Sequence, residues 1–341
     1  MKLKIAVAFF FAAIACAASA QWTQISSPSK SKLNDIVFYN SKYGFAVGED
    51  GTVIRSKDGG QTWELAAVPE KTNLTSVTVI DSLTIFVTTS SYPNASVYRS
   101  ANGGKSWKKV LGDTRTLYTA SAVDKSVYAV SNYIYKTTDG GQNWAQQSQV
   151  NSTSTYKHIS FANDSNGIAA GNISGIVTYS ADFQRTTDGG AHWYSSDPFS
   201  FPNANGFSAL SAIAPDTIFM FTNFYRGFSE GDSCQLITLT KFRLQSFLGT
   251  KQWKFKSNIV AEKFYDKVYD CKFFSSGAAY AAGAKGIYAS ANSGKQWITE
   301  YSSGKLSVNA LYMQSPQKGF AVGDGGLILM RTPQPPAHKK I

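Results

Sequence analysis

The chain has 341 residues, 43% of them hydrophobic, so it is long enough to bury a large apolar core without the help of disulfides. Its 33 lysines and arginines outnumber its 22 aspartates and glutamates, and the resulting formal charge of +11 favours anionic partners. The basic residues are scattered and form no run typical of a nucleic-acid-binding arm. Nucleic acid is therefore not an expected partner, and a solvated basic surface is the default.

The first 20 residues have the pattern of a cleavable export signal. Lys2 and Lys4 precede an uninterrupted apolar run over residues 5–15, and Ala-Ser-Ala at 18–20 is a small-x-small cleavage site. The run is too short to span a bilayer, and no later segment is apolar enough to do so. We therefore predict cleavage after Ala20, which removes two lysines, lowers the charge from +11 to +9 and leaves a soluble, secreted or periplasmic chain.

The cysteines raise two further questions. Cys16 allows the leader to be interpreted as that of a lipoprotein, although the Ala-Ile-Ala before it is a poor lipobox. Once the signal is removed, Cys234 and Cys271 remain, and an even pair in an exported protein predicts one disulfide, with two buried free thiols as the alternative.

Five N-x-Ser/Thr sequons are compatible with glycosylation in a eukaryotic source. The sequons lie at Asn73, Asn94, Asn151, Asn163 and Asn172.

An eight-residue stretch, SKDGGQTW at 56–63, recurs along the chain. Its further copies are SANGGKSW (100–107), TTDGGQNW (137–144), TTDGGAHW (186–193), a degraded SFLGTKQW (246–253) and SANSGKQW (290–297). Before the copies lie short segments that alternate at period two and are bounded by Gly, Asn and Asp, which is typical of strands. Each unit therefore has four strands, A to D, in which the Asp-Gly-Gly turn joins C to D and the Trp opens D.

Units of four antiparallel strands at a spacing near forty residues predict an all-β fold, a β-propeller. Tryptophans at 22, 63, 107, 144, 193, 253 and 297 indicate seven blades, with six or eight as the alternatives. The last unit lacks a D strand, whereas QWTQISS (21–27) is a lone D-type strand, so we predict that it completes the seventh blade and removes exposed edges. Residues 21–332 would then form one monomeric propeller domain, followed by a disordered tail at 333–341.

The Asp or Asn of the repeated turn is predicted to be structural. Its side-chain oxygen can accept backbone N–H groups of the turn, and the glycines adopt positive φ at little cost. A catalytic carboxylate would occur once, rather than in five copies of which two are Asn. The structural turn residues are Asp58, Asn102, Asp139, Asp188 and Asn292.

The unit GFAVGEDGTVIRSKDGGQTW (44–63) and its echo GFAVGDGGLILMRT (319–332) resemble the Asp-box, or BNR-repeat, β-propellers, in particular the photosystem II stability/assembly factor-like family. The resemblance covers essentially the whole mature chain, with blade 5 matching poorly. It implies the propeller fold but leaves function open, because Asp-box proteins include sialidases, xyloglucan-cleaving glycosidases, sortilin-type receptors and assembly factors. Assembly-factor-like members are associated with arginine-rich patches that dock protein.

A glycosidase on this fold would need two carboxylates about 5–10 Å apart across the scissile bond. The A strands line the central channel and carry Asp35, Asp270 and His158 at one unit position, so these are the candidate catalytic residues. The alternative is a set of polar residues in a wet channel, because blade 7 separates blades 1 and 6. The sequence contains no sialidase arginine motif, no Gly-x-Ser-x-Gly elbow and no metal-ligand spacing, so neither a metal nor a cofactor is predicted.

A second set of candidate binding residues is basic. Each of them immediately precedes the Ser or Thr that opens the repeated turn of its unit, and together they would form a ring that binds an anionic protein or carbohydrate. The set consists of Arg55, Arg99, Lys136, Arg185 and Arg331. The alternative is that each of these residues braces its own turn or the neighbouring blade. Insertions at 173–182 in blade 4, and at 225–233 and 243–250 in blade 5, are further places where function is expected to concentrate.

The sequence thus favours an exported, non-catalytic propeller that binds a protein or glycan through one face, as an assembly-factor-like or adhesion scaffold. The alternative is a carbohydrate-active hydrolase on the same fold, a sialidase- or xyloglucanase-like glycosidase.

Overall fold

The computed structural model describes residues 21–66, 70–91, 93–113, 117, 119–123, 126–149, 154–173, 180–196, 199–200, 204–224, 233–247, 250–264 and 266–333. The predicted signal peptide and residues 334–341 of the predicted tail lie outside the described residues.

The described residues form seven antiparallel sheets, which are the blades of a propeller. Blade 1 contains β2 (Leu33–Phe38), β3 (Gly44–Gly48), β4 (Val53–Ser56) and β5 (Glu64–Ala66). Blade 2 contains β6 (Leu74–Val79), β7 (Ile85–Thr89), β8 (Ala95–Ser100) and β9 (Lys108–Asp113). Blade 3 contains β10 (Thr119–Val123), β11 (Ser126–Val130), β12 (Tyr133–Thr137) and β13 (Ala145–Gln149). Blade 4 contains β14 (Ser154–Phe161), β15 (Gly167–Ile173), β16 (Ser180–Thr186), β17 (Tyr194–Ser195) and β18 (Phe199–Ser200).

The remaining blades follow the same order. Blade 5 contains β19 (Ala204–Ala214), β20 (Thr217–Phe224), β21 (Ser233–Phe247) and β22 (Thr250–Phe264). Blade 6 contains β23 (Val268–Phe273), β24 (Ala279–Gly283), β25 (Gly286–Ser290) and β26 (Ile298–Ser302). Blade 7 contains β27 (Val308–Ser315), β28 (Lys318–Gly323), β29 (Ile328–Thr332) and β1 (Gln21–Ile25).

The seventh blade joins the two ends of the described chain. Strand β1 pairs antiparallel with β29, from Gln21 opposite Thr332 to Ile25 opposite Ile328. The pairing completes the order β1-β29-β28-β27 and leaves no unpaired edge on β29. The prediction of a seven-bladed, all-β propeller closed by the N-terminal strand is therefore confirmed.

Apolar side chains from neighbouring blades form the core. In one cluster, Phe45 and Val47 of blade 1 pack with Leu74 and Val77 of blade 2. The B strand of blade 1 is buried at all five positions, because both faces of its sheet are covered by other blades. This explains why B strands read as continuous runs of small and apolar residues instead of alternating with polar ones.

The A strands carry a β-bulge at the same place in five blades. At each bulge the register of strand A against strand B skips one residue. The skipped residues are Asn34, Thr75, Lys157, Tyr269 and Asn309.

Blade 5 departs from the repeat. Residues 246–253 were expected to form a C-to-D turn that ends at Trp253, but β21 and β22 form a long hairpin whose last pair is Phe247 with Thr250. The expectation was wrong because this copy lacks the Asp or Asn that stabilises the turn, and strand pairing continues instead. Trp253 packs against Arg185 of blade 4, with the guanidinium 4.5 Å from the ring centroid. Residues 174–179, 225–232 and 248–249 of the predicted insertions lie outside the described residues.

The predicted disulfide does not form. Cys234 and Cys271 are free, buried thiols in one hydrophobic cluster. The Sγ of Cys234 donates to the Asp266 carbonyl at 3.2 Å, so this thiol has a partner other than the second cysteine. Burial raises the pKa of the Cys234 thiol to about 12, which keeps it protonated. The correction follows from packing, since each cysteine fills an apolar position between blades 5 and 6.

The described helices are two single turns of 3-10 type, Glu49–Gly51 and Asp324–Gly326. Neither has the length or the apolar character of a membrane-spanning helix.

Candidate functional site at the channel mouth and between the blades

A polar cavity of about 420 Å³ opens at the mouth of the central channel. All three candidate catalytic residues, Asp35, His158 and Asp270, line it. The complete lining is Asn34, Asp35, Thr75, Ser76, Lys157, His158, Tyr269, Asp270, Asn309 and Ala310. These residues belong to the A strands of blades 1, 2, 4, 6 and 7, so the propeller gathers one strand position from five blades around a single opening.

Asp35 bonds to the neighbouring blade through its carboxylate. Its Oδ2 accepts the Ser76 hydroxyl at 2.6 Å and the Val77 backbone N–H at 2.8 Å, both on blade 2. Its Oδ1 accepts the Ile36 N–H at 2.8 Å. Three donors therefore fix the orientation of this carboxylate, and two of them join blade 1 to blade 2.

Asp270 makes the same kind of hydrogen bonds between blades 6 and 7. Its Oδ2 accepts the Leu311 N–H of blade 7 at 2.9 Å, and its Oδ1 accepts the Cys271 N–H at 2.7 Å. The two aspartates therefore make matching inter-blade bonds, from blade 1 to blade 2 and from blade 6 to blade 7.

The skipped residues of the bulges supply the complementary donors. The Asn34 Nδ2 donates to the Leu74 carbonyl at 2.8 Å, and the Asn309 Nδ2 donates to the Leu33 carbonyl at 2.9 Å. The Thr75 Oγ1 donates to the Leu117 carbonyl at 2.7 Å. Each bond reaches the following blade, so the bulge positions bind neighbouring A strands together around the channel.

The channel mouth shifts the pKa values of its titratable groups. Burial raises the pKa of Asp35 to about 6, although the hydrogen bonds from Ser76, Val77 and Ile36 act in the opposite direction. Burial raises the pKa of Asp270 to about 7, against the Leu311 hydrogen bond, and the charge of Asp35 adds to the rise. Burial also lowers the pKa of His158 to about 4, so its imidazole is neutral at pH 7.

These groups are better suited to holding blades together than to cleaving a glycosidic bond. A general acid and a nucleophile or base must direct free oxygens at the same bond. Both carboxylates of the channel mouth instead direct their oxygens at backbone N–H groups of their own and the following blade. Shifted pKa values also arise in structural networks, so they do not by themselves indicate catalysis.

The repeated turn has one hydrogen-bond pattern, which blade 1 illustrates. The Ser56 hydroxyl donates to Asp58 Oδ1 at 2.8 Å and accepts the Gly60 N–H at 2.8 Å. Asp58 Oδ1 also accepts the Thr62 N–H at 3.0 Å. Hydrogen bonds from Thr62 are the main cause that lowers the pKa of Asp58 to about 2. The Trp63 Nε1 then donates to the Gly60 carbonyl at 3.1 Å, which fixes the indole over the turn.

The other copies repeat the hydrogen bond from the N–H four residues later, and the bond from the tryptophan Nε1 to the glycine carbonyl recurs at Trp297. In each, the side-chain oxygen of the Asp or Asn accepts the N–H four residues later, at 2.9–3.0 Å. These acceptors are Asn102, Asp139, Asp188 and Asn292. Asn can replace Asp because an amide oxygen accepts the same N–H groups.

Each turn packs on the blade before it. A methyl group added at Gly60 would lie 2.2 Å from the ring of Phe320 in blade 7, and one added at Gly141 would lie 2.3 Å from the ring of Phe86 in blade 2. Gly190 approaches Tyr128 of blade 3 in the same way. In these three turns the second glycine is therefore needed for two reasons, its positive φ and its close approach to an aromatic ring.

Four of the five ring residues reach the following blade. Arg55 Nη1 donates to the Gly103 carbonyl of blade 2 at 2.5 Å, and Lys136 Nζ donates to the Gly189 carbonyl of blade 4 at 2.6 Å. Arg99 lies against Gly141 of blade 3. Arg185, which is buried, donates to the Pro215 carbonyl of blade 5. These contacts are those of residues that brace adjacent blades.

Arg331 does not occupy the equivalent position. In blade 1 Phe45 pairs with Arg55, whereas in blade 7 the corresponding Phe320 pairs with Met330. Arg331 therefore stands one residue later, at the place of Ser56, and its side chain projects from the other face of the sheet. The predicted equivalence was wrong because it took Thr332 as the Ser or Thr of a turn that blade 7 does not have.

The side chain of Arg331 reaches back to blade 6. It forms an ion pair with Glu300, with Nη2 to Oε1 at 2.9 Å and Nε to Oε2 at 3.0 Å. Its guanidinium lies 5.0 Å from the ring centroid of Tyr280, and it donates to the Pro316 carbonyl. Arg331 thus takes over part of the space that a C-to-D turn fills in other blades.

The bulge donors Asn34, Thr75 and Asn309 were not identified from the sequence. Period-two alternation assigns a strand residue to one face or the other and has no place for a skipped residue. The only available signal was the recurrence of a polar residue two positions into each A strand, beside the aspartates that were identified.

Comparison with known proteins agrees with this architecture. The model of the family described as photosynthesis system II assembly factor YCF48 matches residues 14–145, less than half of the chain. The chain is 25% identical over 137 residues to the photosystem II assembly lipoprotein Ycf48 of Synechococcus sp. strain CC9902, covering 38% of this chain and 40% of that protein. It is also 25% identical over 193 residues to the protein of the same name from Nostoc sp. strain PCC 7120, covering 42% and 56%.

The chain therefore spans about half of the length of the curated relatives that it matches. Over the whole fold it is similar to a solved structure described as YCF48 bound to D1 peptide, with a TM-score of 0.66, 18% identity and coverage of 92% of this chain and 97% of that one. The predicted resemblance is confirmed: the chain resembles the photosystem II assembly factors by sequence over residues 14–145, and it shares the propeller fold over nearly its whole length.

Proposed function

We propose that this chain is an exported, non-catalytic propeller that binds a protein partner through one face. The observation that carries the proposal is the use of the two channel carboxylates, Asp35 and Asp270, as acceptors of backbone N–H groups within the propeller. A likeness to assembly factors, one of which has been solved with a bound peptide, supports a protein as the partner. The formal charge of +11, which is +9 once Lys2 and Lys4 are removed with the leader, favours a partner with acidic residues.

Export supports the same function, since the leader would carry the protein to the compartment in which a partner is assembled. Cleavage after Ala20 would release a soluble chain that starts at Gln21. The relatives from Synechococcus and Nostoc are named lipoproteins, which favours the second interpretation of the leader, a lipid attached to Cys16. Intact-mass measurement of the protein purified from its source distinguishes an N-terminal Gln21 from a lipid-modified Cys16.

The experiment that tests the proposal is affinity capture from the native exported fraction with the immobilised chain, followed by cross-linking and identification of the cross-linked residues. We expect one protein partner, cross-linked reproducibly to one face of the propeller and released by salt. A matched capture with an anionic glycan panel tests the carbohydrate alternative, because selective retention of one glycan without a protein would replace the protein as the partner.

The enzymatic alternative is tested with sialosides and β-glucans as substrates. We expect no turnover by the purified chain. Turnover that is abolished by Asp270→Asn, with an unchanged melting temperature, would instead establish a glycosidase and overturn the proposal.

A further inference from the structure

A groove between blades 6 and 7 occupies the place that a repeated turn fills elsewhere in the ring. Its cavity of about 450 Å³ is within the range of ligand sites, about 300–1,000 Å³. Tyr280, Ala289 and Ile298 of blade 6 form one wall, and Gln317, Arg331 and Pro333 of blade 7 form the other.

The equivalent place between blades 1 and 2 shows what is missing. There the turn of blade 2 packs Gly104 near Phe45 and Ala66 of blade 1. Phe45 corresponds in the strand pairing to Tyr280 of blade 6, because Phe45 pairs with Arg55 and Tyr280 with Ala289. The described part of blade 7 has no such turn, because β29 ends at Thr332 and the strand that pairs with it is β1, from the other end of the described chain.

One backbone acceptor of the missing turn is still present. In blades 1, 2 and 4 the first glycine of the turn donates its N–H to a carbonyl between strands A and B, namely from Gly59 to Lys42, from Gly103 to Leu83 and from Gly189 to Ser165, at 2.9–3.0 Å. The corresponding carbonyl of blade 7 belongs to Gln317. Among the described residues no backbone N–H donates to it. The groove therefore offers an acceptor for the N–H of an added segment.

The apolar and charged groups of the groove define the chemistry of that segment. Ile298 is 67% exposed at the edge of blade 6, so an apolar side chain can pack on it. Lys295 and Lys318 are sequence neighbours of the lining residues Gln296 and Gln317, and neither has an acidic partner among the described residues. The one carboxylate of the lining, Glu300, is already paired with Arg331. The charged residues in and next to the lining, Glu300, Arg331, Lys295 and Lys318, thus carry a net positive charge beside the apolar Ile298.

We propose that this groove binds a short acidic turn of a partner polypeptide, which takes the place of the missing turn between blades 6 and 7. The backbone N–H groups of the turn meet the Gln317 carbonyl, its apolar side chain packs on Ile298, and its carboxylate faces the two lysines. The proposal rests on the proposed function, binding of a protein, and names the site and the chemistry of the bound segment.

A peptide that copies the turn of blade 3, TTDGGQNW (residues 137–144), is the probe, because it has the repeated-turn sequence and a net negative charge. The labelled peptide, capped at both ends, is titrated with the full mature chain and followed by fluorescence anisotropy. We expect saturable binding that an unlabelled copy displaces and that a scrambled peptide of the same composition does not. The absence of saturable binding overturns the proposal.

Two substitutions locate the site. Ile298→Lys places a charge in the groove, and we expect it to weaken binding by at least tenfold. Ile259→Lys is the matched control, since Ile259 is also an exposed isoleucine of an outer strand, 56% accessible, but belongs to blade 5. We expect wild-type affinity for this variant. Equal affinities of the two variants would place the peptide elsewhere and overturn the proposal, while equal melting temperatures confirm that both variants are folded.

A third variant separates a partner from the chain itself. Pro333, the last described residue, lines the groove, so the segment that follows it in sequence, residues 334–341, is the alternative occupant to be tested. Deletion of these eight residues should leave the affinity for the peptide unchanged. A tenfold gain in affinity would identify the C-terminal segment of the chain as the occupant and overturn the assignment to a partner. If Ile298→Lys leaves capture of the native partner intact, the groove is not its site, whereas the proposed function stands.

Discussion

The indole of Trp22 donates to Glu300 Oε2 at 3.0 Å, and this carboxylate also holds Arg331. The N-terminal strand is therefore bonded to blade 7 through its backbone and to blade 6 through its tryptophan. Trp22 is 4% exposed, although the residues on either side of it face solvent. Closure of the ring thus depends on one side chain as well as on strand pairing.

Trp22→Ala should lower the free energy of unfolding by about 3–5 kcal/mol, the usual cost of removing a buried tryptophan. Deletion of residues 21–27 should have a larger effect, since blade 7 loses a strand. Chemical denaturation followed by circular dichroism measures both. Gln24→Ala, at an exposed position of the same strand, is the control and should have little effect. A deletion variant that unfolds like wild type would refute this closure.

Gly60→Ala should be strongly destabilising, because the added methyl group would lie 2.2 Å from the Phe320 ring. Gly304→Ala is the matched control, since Gly304 also has a positive φ but no neighbour within 4 Å of the added atom. The control isolates the backbone cost, about 1 kcal/mol. The difference in melting temperature between the two variants measures the packing between blades 7 and 1. Equal melting temperatures would contradict the close approach.

The turn interpretation of Asp58 predicts different effects for two substitutions. Asp58→Asn should be nearly neutral, since Asn102 and Asn292 hold the same position in blades 2 and 6. Asp58→Ala removes the acceptor of the Thr62 N–H and should cost about 1 kcal/mol. Thermal unfolding at pH 7 measures both. A larger loss for the Asn variant than for the Ala variant would show that the charge, not the acceptor, is what matters.

The channel aspartates predict an unusual dependence of stability on pH. Their pKa values rise from 3.8 to about 6 for Asp35 and about 7 for Asp270, so the folded chain binds protons that the unfolded chain releases. Their contribution to stability is fully present below pH 3.8 and is lost as the pH rises through 6 to 7. The Asp35→Asn, Asp270→Asn double variant should therefore lose less stability than wild type between pH 5 and pH 8.

The comparison must be between wild type and the double variant, because other groups titrate nearby. The pKa of His158 is lowered from 6.5 to about 4, so its own contribution rises with pH over that window and partly offsets the aspartates in both proteins. Hydrogen bonds lower the pKa of Asp58 from 3.8 to about 2, so its contribution is lost only as the pH falls through that lower range. Parallel stability curves for wild type and the double variant between pH 5 and pH 8 would contradict the assignment.

The free state of Cys234 and Cys271 predicts that a reductant does not change the melting temperature. Thiol titration should detect no reactive cysteine in the folded mature chain and two after unfolding. A downward shift of the melting temperature by dithiothreitol would indicate a disulfide instead.

The fold could be predicted because the turn sequence that marks each blade recurs along the chain. A tryptophan in or next to each of the seven D strands, preceded in five of them by the Asp or Asn of the turn, marks the strand that follows C, so the number of blades and the role of the N-terminal strand follow from spacing. Blade 5 could not be predicted, because its hairpin lacks the residues that end strand pairing elsewhere. The position of Arg331 was misassigned because sequence order places it before a threonine, whereas register depends on which residue of β28 it faces.

The site was harder to predict than the fold. Alignment of the repeated units correctly predicted that Asp35, His158 and Asp270 lie at the same opening. It did not predict the direction of their hydrogen bonds. Whether a carboxylate faces the channel axis or the next blade depends on the bulge beside it, and a bulge is a property of strand pairing. The groove between blades 6 and 7 lies where the described part of blade 7 has no C-to-D turn, and sequence spacing does not give the shape of such a space.

The bulges also determine which residues of the channel mouth can be substituted. Each skipped residue lies outside the register of strands A and B and lines the channel mouth, as Lys157 and Tyr269 illustrate. The apolar residues that hold the blades together lie at other positions. The lining of the opening can therefore change at one position per blade without altering the apolar packing between blades, whereas a change at Asn34, Thr75 or Asn309 also removes an inter-blade hydrogen bond.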